Sequence, residues 1–87
     1  MAIELLAVGS TAANSSDLVI ASGSTVTVGI KGATSSQARV RITLKDDAGG
    51  YTDVGEITPF RPAIAITAPG TYRFSRVAGD ACGVFSA

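Results

Sequence analysis

The sequence predicts an all-β protein, an antiparallel β-sandwich of seven or eight strands. Three observations carry that expectation. Val and Ile together number fifteen against four Leu, and β-branched side chains suit a pleated, half-buried surface while losing χ1 freedom in a helix. Apolar and polar residues alternate along most of the chain, the period of a strand with one wet face, and no eleven-residue window repeats apolar residues at helical spacing. Clusters of Gly, Pro, Asp and Ser interrupt the alternation about every ten residues, the spacing expected of a sandwich. At 87 residues the chain reads as one domain, 1–87.

The elements follow in order. IELLAV (3–8) is apolar on both faces, with Ile3, Leu5 and Ala7 against Leu6 and Val8. A strand with two dry faces is central in a sheet or pairs across subunits. Residues 1–16 therefore read as an N-terminal docking strand followed by a small polar linker, VGSTAANSS (8–16). DLVIAS (17–22) and STVTVGIKG (24–32) flank Gly23, and in the second Val26, Val28 and Ile30 share one face. ATSSQ (33–37) is a turn. ARVRITLK (38–45) is the clearest strand, with Ala38, Val40, Ile42 and Leu44 on one side and Arg39, Arg41, Thr43 and Lys45 on the other. DDAGG (46–50) suits a hairpin loop that needs positive φ. YTDVGEI (51–57) returns, with Gly55 marking a bulge or an edge. TPFRP (58–62) is a stiff connection, because each proline holds its predecessor extended. AIAIT (63–67), TYRFSRV (71–77) and CGVFS (82–86) complete the set. Two sheets packed about 10 Å apart let Val26, Val28, Ile30, Val40, Ile42, Leu44, Ile64, Ile66, Tyr72 and Phe74 share one core.

Composition excludes several functions. Seven basic and seven acidic residues cancel, whereas a general nucleic-acid binder needs a basic excess to displace counterions. There is one cysteine, Cys82, and no histidine, so neither an internal disulfide nor a structural zinc site is expected. Cys82 reads as a small apolar residue of the last strand. No segment approaches the ~20 apolar residues of a membrane-spanning helix. MAIELLAV is too short for a signal sequence and carries Glu4 where basic residues would stand, so the protein is expected to be made in a cytoplasm. Nucleophilic catalysis wants a base near Ser, Thr or Cys, and no histidine exists to serve, so no enzyme, cofactor or metal is expected. Asp46 and Asp47 with distant Asp53 fall short of the six oxygens of a calcium loop.

The stretch APGTYRFSR (68–76) resembles the corner between strands E and F of immunoglobulin-like sandwiches. There a Tyr near the start of F bonds back to the backbone and pins the corner. Tyr72 would take that role. STVTVGIKG, ARVRITLK and AITAPGTYRFSR would be strands B, C and E–F, about half the chain, so the resemblance implies an Ig-like fold. It lacks the paired cysteines and core Trp of antibody domains. More narrowly, MAIE, GSTVTVGIKG, GYTDVG and the closing APGTYRFSR with GVFS resemble small virion proteins of tailed bacteriophages. That likeness implies a non-enzymatic head decoration (cement) protein on the outer capsid surface, located in the virion. Its partners would be the major capsid protein, other virion proteins or a second copy, with neither nucleic acid nor membrane involved. The rival expectations are a tail-appendage module that binds a cell surface or carbohydrate, and a host-directed regulator in the cytosol.

Three groups of residues are candidate contacts. Arg39, Arg41 and Lys45, with Arg73 beside them, would line the wet face of one sheet as a basic stripe that docks on an acidic partner surface, or else form a solvated face with Glu56 opposite in a cross-strand ion pair. Phe60 and Arg61 sit on a rigid proline-flanked loop that would anchor a partner with little loss of entropy, unless Phe60 folds under the loop to cap the core. Ile3 and Leu5 belong to the N-terminal strand.

Overall fold

The computed structural model describes residues 3–87; Met1 and Ala2, the first residues of the expected docking strand, lie outside them. The described residues form β1 (Ile3–Gly9), β2 (Ala13–Asn14), β3 (Leu18–Ile20), β4 (Val26–Lys31), β5 (Val40–Lys45), β6 (Tyr51–Ile57), β7 (Ala63–Ile66), β8 (Gly70–Arg76) and β9 (Cys82–Ser86). The strands divide into two antiparallel sheets. One has the order β1-β9-β4-β7; the other has the order β2-β8-β5-β6, with β3 also on β8. The antiparallel β-sandwich expected from the alternation is the fold. Nine strands replace seven or eight because the stretch read as linker contains β2, which pairs Ala13 with Arg76 and Asn14 with Ser75. Ser15 marks the break between β2 and β3. Its backbone N–H donates to the Phe74 carbonyl at 2.8 Å and its Oγ accepts the Phe74 N–H at 3.0 Å.

Counting β2 and β3 as one broken strand, the chain pairs first with last, second with seventh, third with sixth and fourth with fifth. That is a long hairpin wound over on itself, the connectivity of a jelly roll. The neighbours β4–β7 and β5–β8 are those the immunoglobulin resemblance implies. The last strand departs from it. An immunoglobulin-like sandwich places that strand beside β8, and here β9 lies between β1 and β4 in the opposite sheet. Glycine decides where it can go: a Cβ on Gly83 would lie 2.7 Å from the Leu6 carbonyl oxygen, so β1 and β9 approach closely only because residue 83 has no side chain.

The core is shared by both sheets. Val28, Ile66, Cys82 and Val84 come from one; Ile20, Val40, Ile42, Ile57, Tyr72 and Phe74 come from the other. All ten residues expected in the core from alternation are buried or packed against it. The Asp46–Gly50 loop is a hairpin: Asp46 Oδ1 accepts the N–H groups of Ala48 and Gly50, both at 2.9 Å, and Gly49 takes φ +87°. A bulge at Val54 breaks the β5–β6 register beside Gly55, on a strand that is also an edge.

Tyr72 pins the corner as the resemblance implied. Its ring is buried and its Oη donates to the Ala68 carbonyl at 2.9 Å, four residues back across the Pro69–Gly70 turn. Tyr72→Phe keeps the ring and removes that bond, leaving a carbonyl short of a partner. The variant is expected to lose about 1 kcal/mol without changing its circular-dichroism spectrum. A thermal melt checks it, with a midpoint lower by roughly 4–8 °C.

Candidate functional site

Charge is distributed unequally between the two sheets. The four strands β1, β4, β7 and β9 carry only Glu4 and Lys31, and these pair with each other. Their outer face is otherwise built from small and apolar residues such as Gly29, Ala63 and Ala65, with the Phe85 ring lying where a Cβ on Gly29 would be.

The five-stranded sheet holds the charged face. Cross-strand register brings Arg41 opposite Glu56 on one side and Ser75 on the other, and puts Arg73 opposite Thr43. The expected stripe of Arg39, Arg41 and Arg73 therefore exists as a shared outer face. Each arginine meets an acid there: Arg39 Nη2 lies 3.0 Å from Glu56, Arg41 Nη1 lies 3.4 Å from Asp53, and Arg73 Nη2 lies 3.2 Å from Asp17. The stripe is thus a lattice of opposite charges rather than a positive band. Arg39, Arg41, Asp53, Gly55 and Glu56 line a shallow depression of about 400 Å³. Exposed pairs of this kind contribute about 0.2–1 kcal/mol each.

Arg73 is the most elaborated member. Its guanidinium carbon sits 4.0 Å from the centre of the Tyr51 ring, a cation–π arrangement. Its Nη2 donates to Tyr51 Oη at 3.0 Å, and Tyr51 Oη donates to Asp17 at 2.9 Å. Desolvation raises the Tyr51 phenol above its ordinary pKa; the hydrogen bond to Asp17 raises it further, and Arg73 opposes both. Asp17 and Tyr51 were not legible as Arg73's partners, because register alone brings positions 17, 51 and 73 together.

Phe60 does not fold under its loop. It is 83% exposed. The chain reverses tightly at residues 58–61: Thr58 and Arg61 exchange backbone hydrogen bonds at 3.2 and 3.0 Å, placing Pro59 and Phe60 at the tip. A two-residue turn offers no span long enough to bring the ring back over the core. Ile30 N–H donates to the Pro62 carbonyl at 2.9 Å, which ties the turn's exit to β4. Arg61 beside it is exposed. A second recess, about 240 Å³, opens between the edges β6 and β7 and is lined by Ile42, Val54, Ile64, Ile66 and Tyr72 among others.

The N-terminal strand is neither central nor free. β1 is the edge of its own sheet, paired to β9 alone. Leu5 and Leu6 pack against the core, while Ile3 and Val8 are exposed. Among the described residues, no three His, Cys, Asp or Glu side chains gather closely enough to hold a metal ion.

No motif singles out Arg76, and it is the most unusual side chain of the fold. It is 7% exposed, a buried cation. Its Nε donates to the Thr11 carbonyl at 2.6 Å, and its Nη1 donates to the carbonyls of Ala7 and Cys82, both at 2.8 Å. The guanidinium thereby joins β8 to β1, to the 10–12 connection and to β9. One signal was available: alternation puts residue 76 in phase with Tyr72 and Phe74, which places an arginine on the dry face.

No family model and no curated protein matches the chain. Among solved structures, the crystal structure of the SPBc2 prophage-derived protein YomS is similar, with a TM-score of 0.67 at 15% identity, over 99% of this chain and 89% of that one. The likeness is one of fold.

Two outcomes follow. Arg76→Met leaves the buried Cys82 carbonyl and the part-buried carbonyls of Ala7 and Thr11 without their donor and is expected to destabilise by about 2–4 kcal/mol; Arg76→Lys, a point donor without the fork, should recover only part of it. Urea unfolding of both variants checks this. Burial raises the Cys82 thiol above its ordinary pKa, with Arg76 opposing and Asp80 adding. The thiol's contribution to stability is therefore whole below its unfolded pKa and is lost as pH rises through the folded value. Urea midpoints should fall as pH climbs past about 8.5, less steeply in Cys82→Ala, and a thiol reagent should label Cys82 only on unfolding.

Proposed function

We propose that this protein is a phage structural protein that works by adhesion without catalysis, as a head decoration protein on the outer surface of a capsid shell. The observation that carries adhesion is Phe60: an aromatic ring 83% exposed on a two-residue turn between prolines. A large apolar side chain carried on a tight backbone turn docks with little loss of backbone entropy, and such anchors dominate interface energetics. Phage association is supported by the prophage-derived neighbour, whose fold spans nearly the whole of both chains, and by the resemblance of the GSTVTVGIKG and APGTYRFSR stretches.

The Phe60–Arg61 turn is the primary contact in this reading. The near-neutral outer face of the β1-β9-β4-β7 sheet flanks β7, into which the turn leads. The arginine stripe is secondary, because Arg39, Arg41 and Arg73 already have acidic partners and would have to exchange them for others. Single contacts of this size are weak, and repetition over a symmetric shell adds them up through multivalency.

Co-sedimentation with purified particles tests the reading. Decoration gives hundreds of copies per particle, a tail-appendage module a handful, and a cytosolic regulator none. Phe60→Ser is expected to lower particle retention at least tenfold with an unchanged melting temperature, whereas the double variant Arg39→Gln, Arg41→Gln stays bound. Retention of the first and release of the second would move the docking face to the stripe.

A further inference from the structure

β1 lies in a seat that recognises it residue by residue. Gly83 makes room for the β1 backbone: a Cβ there would lie 2.7 Å from the Leu6 oxygen and 3.0 Å from the Val8 nitrogen. Gly32 receives the Val8 side chain, which would stand 2.8 Å from a Cβ at that position. Lys31 pairs with Glu4. Arg76 holds the carbonyls of Ala7 and Thr11, and Gly9 presents no Cβ where the guanidinium passes; one there would be 2.9 Å from Nη2. In each case the recognising residue lies outside residues 3–11 and the recognised atom lies within them. The seat is therefore specific for this segment.

The same segment is weakly tied to its own copy. β1 is an edge strand, joined to the sheet through β9 alone. Its ladder breaks register between Glu4 and Leu6 and again between Leu6 and Gly9. Only residues 10–12 carry the chain from β1 in one sheet to β2 in the other. Short connections under such constraint favour the exchanged form, because the same contacts can be made between copies with the connection extended. A net charge of zero leaves no long-range repulsion to keep copies apart.

We propose that the segment from Ile3 to Thr11 is an exchange arm that leaves its own seat and fills the identical seat of a second copy, giving a strand-swapped dimer. Arg76 makes this exchange rather than release. In the closed fold the guanidinium is 7% exposed; an empty seat would strip it of two of its three carbonyl partners, and the arm of a second copy restores both. The inference concerns the free protein and stands apart from any role in a virion.

Two single-cysteine variants of the full chain test it, both in a Cys82→Ala background: Glu4→Cys on the arm and Phe85→Cys on β9, positions that face each other across the β1–β9 ladder. The two are mixed, unfolded, refolded together at high concentration and oxidised. Exchange predicts a disulfide-linked heterodimer at least tenfold above the dimer formed by either variant alone. Inserting four Gly and Ser residues after Ala12, between the arm and β2, relaxes the connection and should abolish most of that excess. No excess of heterodimer in the mixture, or an excess unchanged by the insertion, overturns the proposal. Size-exclusion chromatography of the unmodified chain after the same refolding guards against a variant that fails to fold: a dimer peak that persists on dilution supports exchange, and monomer alone overturns it.

Discussion

A single buried cation holds the ends of this fold together. Arg76 brings a positive charge into the interior with backbone carbonyls, not a carboxylate, as its partners. Desolvating a guanidinium is expensive, and the geometry that compensates it is strict: three carbonyls converging from β1, from the 10–12 connection and from β9. The charge cannot be satisfied until the first and last strands are both in place. Arg76 thus acts as a check on completed topology, because a sandwich lacking either strand would leave its donors short of carbonyl partners. Two features of the N-terminal segment follow from that demand: the glycine at residue 9, where a Cβ would meet the guanidinium, and the approach of the Thr11 carbonyl to Nε.

The two sheets divide the remaining work. The β1-β9-β4-β7 sheet is nearly without charge, its one acid and one base cancelling each other. The other sheet carries a lattice of neighbouring opposite charges in which Arg39, Arg41 and Arg73 each have an acid at hand. Such a lattice contributes little to stability in water, but it keeps a broad β face soluble without offering a field of one sign. Alternating sign discourages stacking on like copies unless the register matches. The edges are treated differently again. A bulge at Val54 disrupts β6, a common way to blunt an unpaired strand, while the tip of the next turn puts Phe60 out into solvent.

Much of the fold was legible because the alternation is clean where both faces of a strand have settled environments. ARVRITLK places Arg39, Arg41 and Lys45 outward and Val40 and Ile42 inward, and the structure agrees. Tyr72 was readable for the same reason, with the Pro-Gly turn before it fixing the corner. What escaped was non-local. The seat of β9 between β1 and β4 depends on which strand can approach Gly83, and no local pattern records that. The two-residue strand β2 is too short to show a period. Asp17 and Tyr51 reach Arg73 across strand partners fixed by topology. Phe60 was misjudged in its buried alternative because TPFRP leaves open how tightly the chain turns, and the tightness comes from the Thr58–Arg61 bridge. Arg76 was the legible exception, since its phase with Tyr72 and Phe74 stood in the letters.

The pairing of the first strand with the last has a mechanical consequence. Ile3 faces Ser86 across the β1–β9 ladder, so both ends of the described chain emerge at one corner. A load drawing those ends apart would open the ladder rung by rung, as a zipper opens, instead of shearing many rungs at once. The same adjacency means that the whole sandwich could be spliced into a surface loop of a host protein, entering and leaving through a gap no wider than a strand pair. A body anchored in that way would swing on a single narrow pivot and keep both of its broad faces available.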